Sequence, residues 1–231
     1  MASPKNKKLV IFGTGEIGSL ARFYFENDSS YQVVGFTADD EFVKGDTFEG
    51  LPLVKFSAVR EKFSPVEFEM HIALSYMKLN QTRAEKYDAA ESLGYTLASY
   101  VCSKSAWWGD LSIGRNCFIL ENQTIQPTAK IGNNVMIWSG NHIGHGTIIG
   151  DHTYISSHVC ISGHTHIGTH CFLGVNATVK DFVKIGNGVF VAMGALVTKD
   201  IEDGAVVVAA QSTVFSADGK VAVALKRKYF Y

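Results

Sequence analysis

From Ile113 to Val197 an aliphatic residue returns every six positions without a break, through Ile119, Ile125, Ile131, Ile137, Ile143, Ile149, Ile155, Ile161, Ile167, Leu173, Val179, Ile185 and Val191. Glycine often follows it, as at Gly114, Gly132, Gly144, Gly150 and Gly168, and the fifth place of each six is mostly small. A period of six is neither the 3.6 of a helix nor the two of a strand. It suits a chain that turns a corner after each short strand, a parallel β-helix. Three sixes close one triangular coil, so residues eighteen apart stack at roughly 4.8 Å, and five coils make a prism on the order of 24 Å tall. The β-branched aliphatics fill the interior. Backbone groups pair with the coils above and below, so only the two ends need covering.

The N-terminal part obeys a different pattern. Lys7 to Phe12 (KKLVIF) predicts a buried strand, followed by Gly13-Thr14-Gly15-Glu16-Ile17-Gly18 and a helical pattern through Leu20, Phe23 and Tyr24. A second strand, Tyr31 to Phe36, ends at Asp39 and Asp40. Strand, GxGxxG, helix, strand and acid is the dinucleotide fingerprint in its proper setting. The glycines let backbone amides approach a phosphate at the helix N-terminus, and an Asp after the second strand can accept ribose hydroxyl protons. The alternative is a tight strand-to-helix turn that binds nothing. Asp46 to Pro52 reads as a turn region, His71 to Ser75 as a third strand, Asn80 to Leu93 as a helix and Tyr95 to Val101 as a further strand. About 100 residues hold one half of a nicotinamide-binding domain at most, which favours a nucleotide sugar over NAD. The expected organisation is therefore a small α/β Rossmann-like domain over residues 1–102, a β-helix over 103–204 and a C-terminal tail over 205–231. In the tail, Ala205 to Ala210 and Val221 to Leu225 are expected to pair as a hairpin covering the open end of the prism. Trp107 lies in the repeat frame, so Trp107 and Trp108 are expected to cap the first coil.

The chain of 231 residues, with 46% hydrophobic residues, is large enough for two modest domains. A formal net charge of −1 argues against nucleic acid or an anionic membrane as the main partner. No apolar run is long enough to span a bilayer, and the polar, basic start from Met1 to Lys8 lacks the apolar core of a signal peptide. Cys102, Cys117, Cys160 and Cys171 show no paired spacing, and Cys117 and Cys171 fall on inward places, so free thiols in a reducing cytoplasm are expected.

Seven of the eight histidines lie between His142 and His170. His152, His158, His164 and His170 all occupy the fourth place of their sixes. Successive members therefore stand on different corners of the triangle, and only His152 and His170 stack. Surface corner positions are the expectation for these four. His145 is at the third place, between Gly144 and Gly146, under Gly163 and over Pro127. From the residues alone it is either a solvated corner histidine or one whose imidazole meets a ligand in the space that Gly163 leaves.

With these motifs together, Val10 to Gly18, Phe36 to Asp40, Ile72 to Ser75 and the whole repeat, the chain resembles the hexapeptide acyltransferases that modify sugar nucleotides. The nearest subgroup pairs a small Rossmann-like domain with a left-handed β-helix, as in the bacillosamine-pathway and sialic-acid-related acetyltransferases. The resemblance implies an N-acetyltransferase moving acetyl from acetyl-CoA to a UDP- or dTDP-linked amino sugar, a 4-amino-4,6-dideoxy sugar, for cell-surface glycan such as O-antigen. It implies a homotrimer with acyl-CoA between neighbouring prisms and no metal cofactor. His145 matches the family's general base. Gly163 matches the glycine beside the thioester arm, and Tyr154 falls where some relatives carry a second histidine. Gly13, Thr14, Gly15, Asp39, Asp40, Leu74 and Ser75 are the expected sugar-nucleotide contacts, and Gly163, Tyr154, Lys180, Lys184 and Lys199 the expected acetyl-CoA contacts. Two departures stand out. Gly146 replaces the acid that often follows the histidine, and Val208-Ala209-Ala210-Gln211 replaces the usual Gly-x-Pro-Ala close. The other readings are sugar O-acetylation, zinc chemistry of the carbonic anhydrase type by histidines of adjacent subunits, and a nucleotide-binding regulatory scaffold.

Overall fold

A computed structural model describes residues 5–109 and 111–230. The first four residues of the polar N-terminus lie outside the described residues.

The N-terminal sheet contains β1 (Lys7–Phe12), β2 (Tyr31–Ala38), β3 (Thr47–Phe48), β4 (Leu51–Lys55) and β5 (Glu69–Ile72), in the order β3-β4-β2-β1-β5. All neighbours are parallel except β3 and β4. Helix α1 (Glu16–Asn27) follows β1, the short α2 (Val59–Lys62) precedes β5, and α3 (Gln81–Ser92) follows β5. This is the Rossmann-like unit expected, with a β3–β4 hairpin where a turn was read. Two glycines of the fingerprint are sterically required. A Cβ on Gly13 (φ +123°) would lie 2.6 Å from the Ala73 carbonyl oxygen, and one on Gly18 would lie 2.2 Å from that of Gly13. Gly15 has nothing within 4 Å of its Cβ position.

The expected strand from Tyr95 to Val101 touches this sheet at one residue only. Leu97 bridges Met70 at the sheet edge, and β6 (Tyr100–Val101) already pairs with the β-helix strand Phe118–Ile119. The chain leaves one sheet by laying down the first rung of the next. Trp107 and Trp108 do not cap that end: they are 45% and 68% exposed.

From β7 (Ser112–Ile113) to β21 (Leu196–Val197) a two-residue strand occurs every six residues, each ending on the aliphatic of the repeat. The strands form three parallel sheets, the faces of a left-handed β-helix. Face one ends on Ile113, Ile131, Ile149, Ile167 and Ile185, and face three on Ile125, Ile143, Ile161, Val179 and Val197. Face two is longer, from β6 to β22 (Val206–Val207). From Asn116 to Gly194 every fourth-place residue has φ between +55° and +80°. That corner conformation is left-handed, which Gly adopts freely and Asn and His tolerate better than other residues. The histidine enrichment is thereby largely explained, since His152, His158, His164 and His170 all turn corners. The top coil is two residues short: Ile201 bridges Ile185 and Val207 pairs with Val191. The repeat thus continues past Asp203 in a shifted frame.

The N-terminal domain covers face two. The outward residues Phe118, Met136 and Tyr154 are buried there in one cluster with Leu9, Phe25 and Tyr100. Arg83 of α3 is 1% exposed and donates from Nη2 to the carbonyls of Asn134 (3.1 Å) and His152 (3.0 Å). A corner ladder adds to the seam. Asn116 Oδ1 accepts from the Ile72 amide (2.7 Å), Asn116 Nδ2 donates to Asn134 Oδ1 (2.8 Å), and Asn134 Nδ2 meets His152 Nδ1 (2.9 Å). His152 and His170 are therefore not free surface corners. Their rings meet tilted at 4.6 Å and burial holds both imidazoles below the usual histidine range.

The C-terminal hairpin is not formed. Val206–Val207 adds a parallel rung, and residues 220–230 form α4 (Lys220–Phe230). Its sequence, KVAVALKRKYF, is rich in the Ala, Leu, Lys and Arg that favour helix, and it lacks the period-two alternation of a half-buried strand. All four cysteines are free.

Candidate active site

His145 stands on the corner between faces three and one, the edge of the prism opposite face two. Strand His142–Ile143 delivers it and the strand Ile148–Ile149 begins after it. The ring lies against Gly163, where an added Cβ would come within 2.7 Å of Cε1. Both positions of the Gln126 oxygen are informative: Oε1 is 2.9 Å from the His145 backbone nitrogen and 3.0 Å from Nδ1. Among the described residues no hydrogen bond occupies Nε2. The Gly163 amide likewise donates to nothing among the described residues, since its neighbours Ser162 and His164 take the adjacent carbonyls. His164 meets His145 edge-on at 4.8 Å, and Phe182 stacks on His164 at 5.1 Å.

Gly146, where the acid is missing, is backed by the ring of His164. Gly146 sits at φ +65°, and a Cβ there would lie 2.6 Å from His164 Nδ1. Gln126 in the coil below was not read from the sequence as a functional residue, although it lies one position before the Pro127 that stacks under His145.

The GxGxxG loop opens on a cavity of about 680 Å³ lined by Gly13, Thr14, Gly15, Asp39, Leu74 and Lys86, among others. A second cavity of about 550 Å³ shares Gly15 and Leu74 and runs toward the β-helix past Ser75, Tyr76, Trp138 and Tyr154. Together they make one crevice on face two. Asp39 lines it with its carboxylate 2.5 Å from Lys86 Nζ. Lys86 was not read from the sequence, and with Lys44 and Lys78 it puts cations around the opening. Asp40 stands beside the crevice and not in its lining, where its carboxylate accepts from Ser57 Oγ at 2.7 Å. The Ser57 hydroxyl holds this carboxyl below the usual range.

Tyr154 lies apart from His145 within one chain. It is 4% exposed on face two, stacked on Phe172 at 5.2 Å, and belongs to the crevice. It is not on the His145 corner of its own chain, because the sixth place points outward and on this face the outward side is covered. Lys180 and Lys199 are exposed on the His145 corner in higher coils, and Lys184 on face one lines a cleft of about 440 Å³ with His166 and Asp200. One chain thus presents two separate groups, the crevice on face two and the His145 corner opposite it. Among the described residues no three His, Cys, Asp or Glu side chains come together as a metal site.

Residues 128–163 and 164–199 match the bacterial transferase hexapeptide (six repeats) family. The matched residues lie within the prism. No curated protein matches the chain by sequence. Among solved structures, the acetyltransferase domain of PglB from Neisseria gonorrhoeae superimposes with a TM-score of 0.76 at 22% identity, covering 87% of this chain and 96% of that one. PerB from Caulobacter crescentus, solved with CoA and GDP-perosamine, gives 0.75 at 21% identity over 89% and 95%. WeeI from Acinetobacter baumannii gives 0.74 at 22% identity over 88% and 97%. The likeness spans both the Rossmann-like unit and the hexapeptide domain, so the two-domain fold is shared as a whole.

Proposed function

We propose that this chain is an acetyl-CoA-dependent N-acetyltransferase acting on a nucleotide-linked amino sugar. The sugar is a 4-amino-4,6-dideoxy hexose carried on UDP or dTDP, and the product serves cytoplasmic synthesis of cell-surface glycan. The observation that carries this reading is the His145 corner, where an imidazole with a bonded Nδ1 and an open Nε2 lies against the unpartnered amide of Gly163. In the reaction, the sugar amine attacks the thioester carbonyl and forms the C–N bond. His145 Nε2 takes the proton that the nitrogen sheds, the Gly163 N–H donates to the tetrahedral oxyanion, and the C–S bond breaks to release CoA, which leaves as the thiol after taking up the proton.

The crevice is the sugar-nucleotide site in this reading, with Gly15 open toward phosphate at the α1 N-terminus and Asp39 and Lys86 at its far side. Because the crevice and His145 occupy opposite sides of one chain, the active site needs a second copy to bring its crevice to this corner. A cyclic homotrimer does so three times. Exposed Ile148, Phe182 and Leu196 on the uncovered faces and corner suit such contacts. Acetyl-CoA then lies along the corner, with Lys180, Lys184 and Lys199 near its phosphates. The PerB structure, with CoA and GDP-perosamine bound, supports this class of substrate pair.

The test is thiol release from acetyl-CoA with UDP-, dTDP- and GDP-linked 4-amino sugars, and product mass. Turnover with a UDP- or dTDP-linked amine and none with the matching hydroxyl sugar is expected. Turnover only with the hydroxyl sugar makes the protein an O-acetyltransferase, and no turnover with any of them overturns the reading.

A further inference from the structure

We infer that Gln126 is the positioning residue that sets the tautomer of His145, in the place of the acid that Gly146 lacks. The role of His145 as base rests on the function proposed above; the tautomer does not. The inference follows from donor and acceptor identities. A backbone N–H can only donate, so the Gln126 atom 2.9 Å from the His145 nitrogen is the amide oxygen, which fixes the orientation of the amide. The same oxygen lies 3.0 Å from Nδ1. A carbonyl oxygen can only accept, so Nδ1 carries the hydrogen and a neutral ring has a bare Nε2. One oxygen thus holds both the backbone and the ring of His145.

Local sequence makes the arrangement. Gln126 follows the strand Thr124–Ile125, and its amide donates to the Ile143 carbonyl at 2.9 Å. Pro127 follows it and confines it to extended backbone, so the side chain points up at the next coil. Directly after His145, Gly146 has a left-handed φ and lies against the His164 ring, and it brings no side chain of its own to the imidazole. A neutral amide differs from a carboxylate in one respect that matters: it orients the imidazole without a charge to stabilise imidazolium.

The experiment uses the full-length protein. Nitrogen-15 NMR of the imidazole rings, with the His145 signals assigned by loss in His145→Asn, reads the tautomer without any substrate. We expect the Nδ1–H form in the wild type and in Gln126→Glu, and a shift toward Nε2–H in Gln126→Leu. In the transferase assay Gln126→Leu should lower kcat about tenfold with KM unchanged. Gln126→Glu should keep kcat and move the acid limb of the pH profile up by about one unit, because a carboxylate favours the imidazolium. An Nε2–H ring in the wild type, or a tautomer and pH profile unaltered in Gln126→Leu, overturns the inference. A protein without transferase activity but with the expected tautomers overturns the proposed function and leaves the positioning role standing.

Discussion

At the scale of the residue, His145→Asn should lower kcat by roughly 10²-fold with KM little changed, the signature of an interaction made mainly in the transition state. Steady-state kinetics on both substrates checks it. Gly163→Ala should cost roughly 10- to 10²-fold in kcat, since its Cβ would meet the imidazole at 2.7 Å. His152→Asn should instead lower the urea midpoint and spare kcat, because His152 is bonded to Asn134 in the domain seam. The repeat gave only the corner on which His145 stands, family likeness made it the candidate base, and the structure adds Gln126 at Nδ1. Gln126 was not legible, because its part is played across coils by a side-chain oxygen. The repeat places Tyr154 on an outward position, but nothing in the repeat says which face another domain will cover. Asp40 illustrates the converse: a residue in the fingerprint is turned away by a local bond to Ser57. Thr128 and Phe182 are the two left-handed fourth-place residues that are neither Gly, Asn nor His, at φ +66° and +62°. Both lie on the His145 corner, where such strain is expected near a working site.

At the scale of the element, α3 is the bolt between the domains. Arg83→Ala would leave buried carbonyls of Asn134 and His152 without their donor and should destabilise the protein by about 3 kcal/mol, measured by urea unfolding. His71 at the same seam is fully buried, with Nδ1 2.9 Å from the Ala98 carbonyl oxygen. Burial, opposed by that bond, lowers its pKa from 6.5 to about 4. The folded pKa is the lower one, so this contribution is present above pH 6.5 and is lost as the pH falls toward 4. Between pH 7.5 and 5 the loss should be about 2 kcal/mol, and a His71→Leu variant should lack that part of the slope. Helices α1 and α3 and the period-six strands were legible because their patterns are regular. The tail was misread as a hairpin because Val206 and Val207 were matched to a partner in sequence, whereas the strand they extend is the rung sixteen residues earlier.

At the scale of the whole molecule, the separation of crevice and His145 makes a sharp prediction. Light scattering should find a trimer, and mixing two inactive proteins, His145→Asn and Gly15→Asp, under conditions of subunit exchange should restore part of the activity. In the mixed assembly one intact crevice meets one intact histidine. A site contained within one chain would show no recovery. The last coil carries a different consequence. A tower of identical coils has no natural height, and its open ends can template further copies into filaments. Here the repeat loses two residues, and the top is finished by Asp200 and Asp203, whose carboxylates accept from the Lys184 and Asn187 amides at 2.8 Å each. The shortened turn puts the last rung two residues out of step with any coil that would continue it, and the carboxylates are committed to the coil below. What looks like an interruption in the pattern is what lets the protein count its own floors and stop.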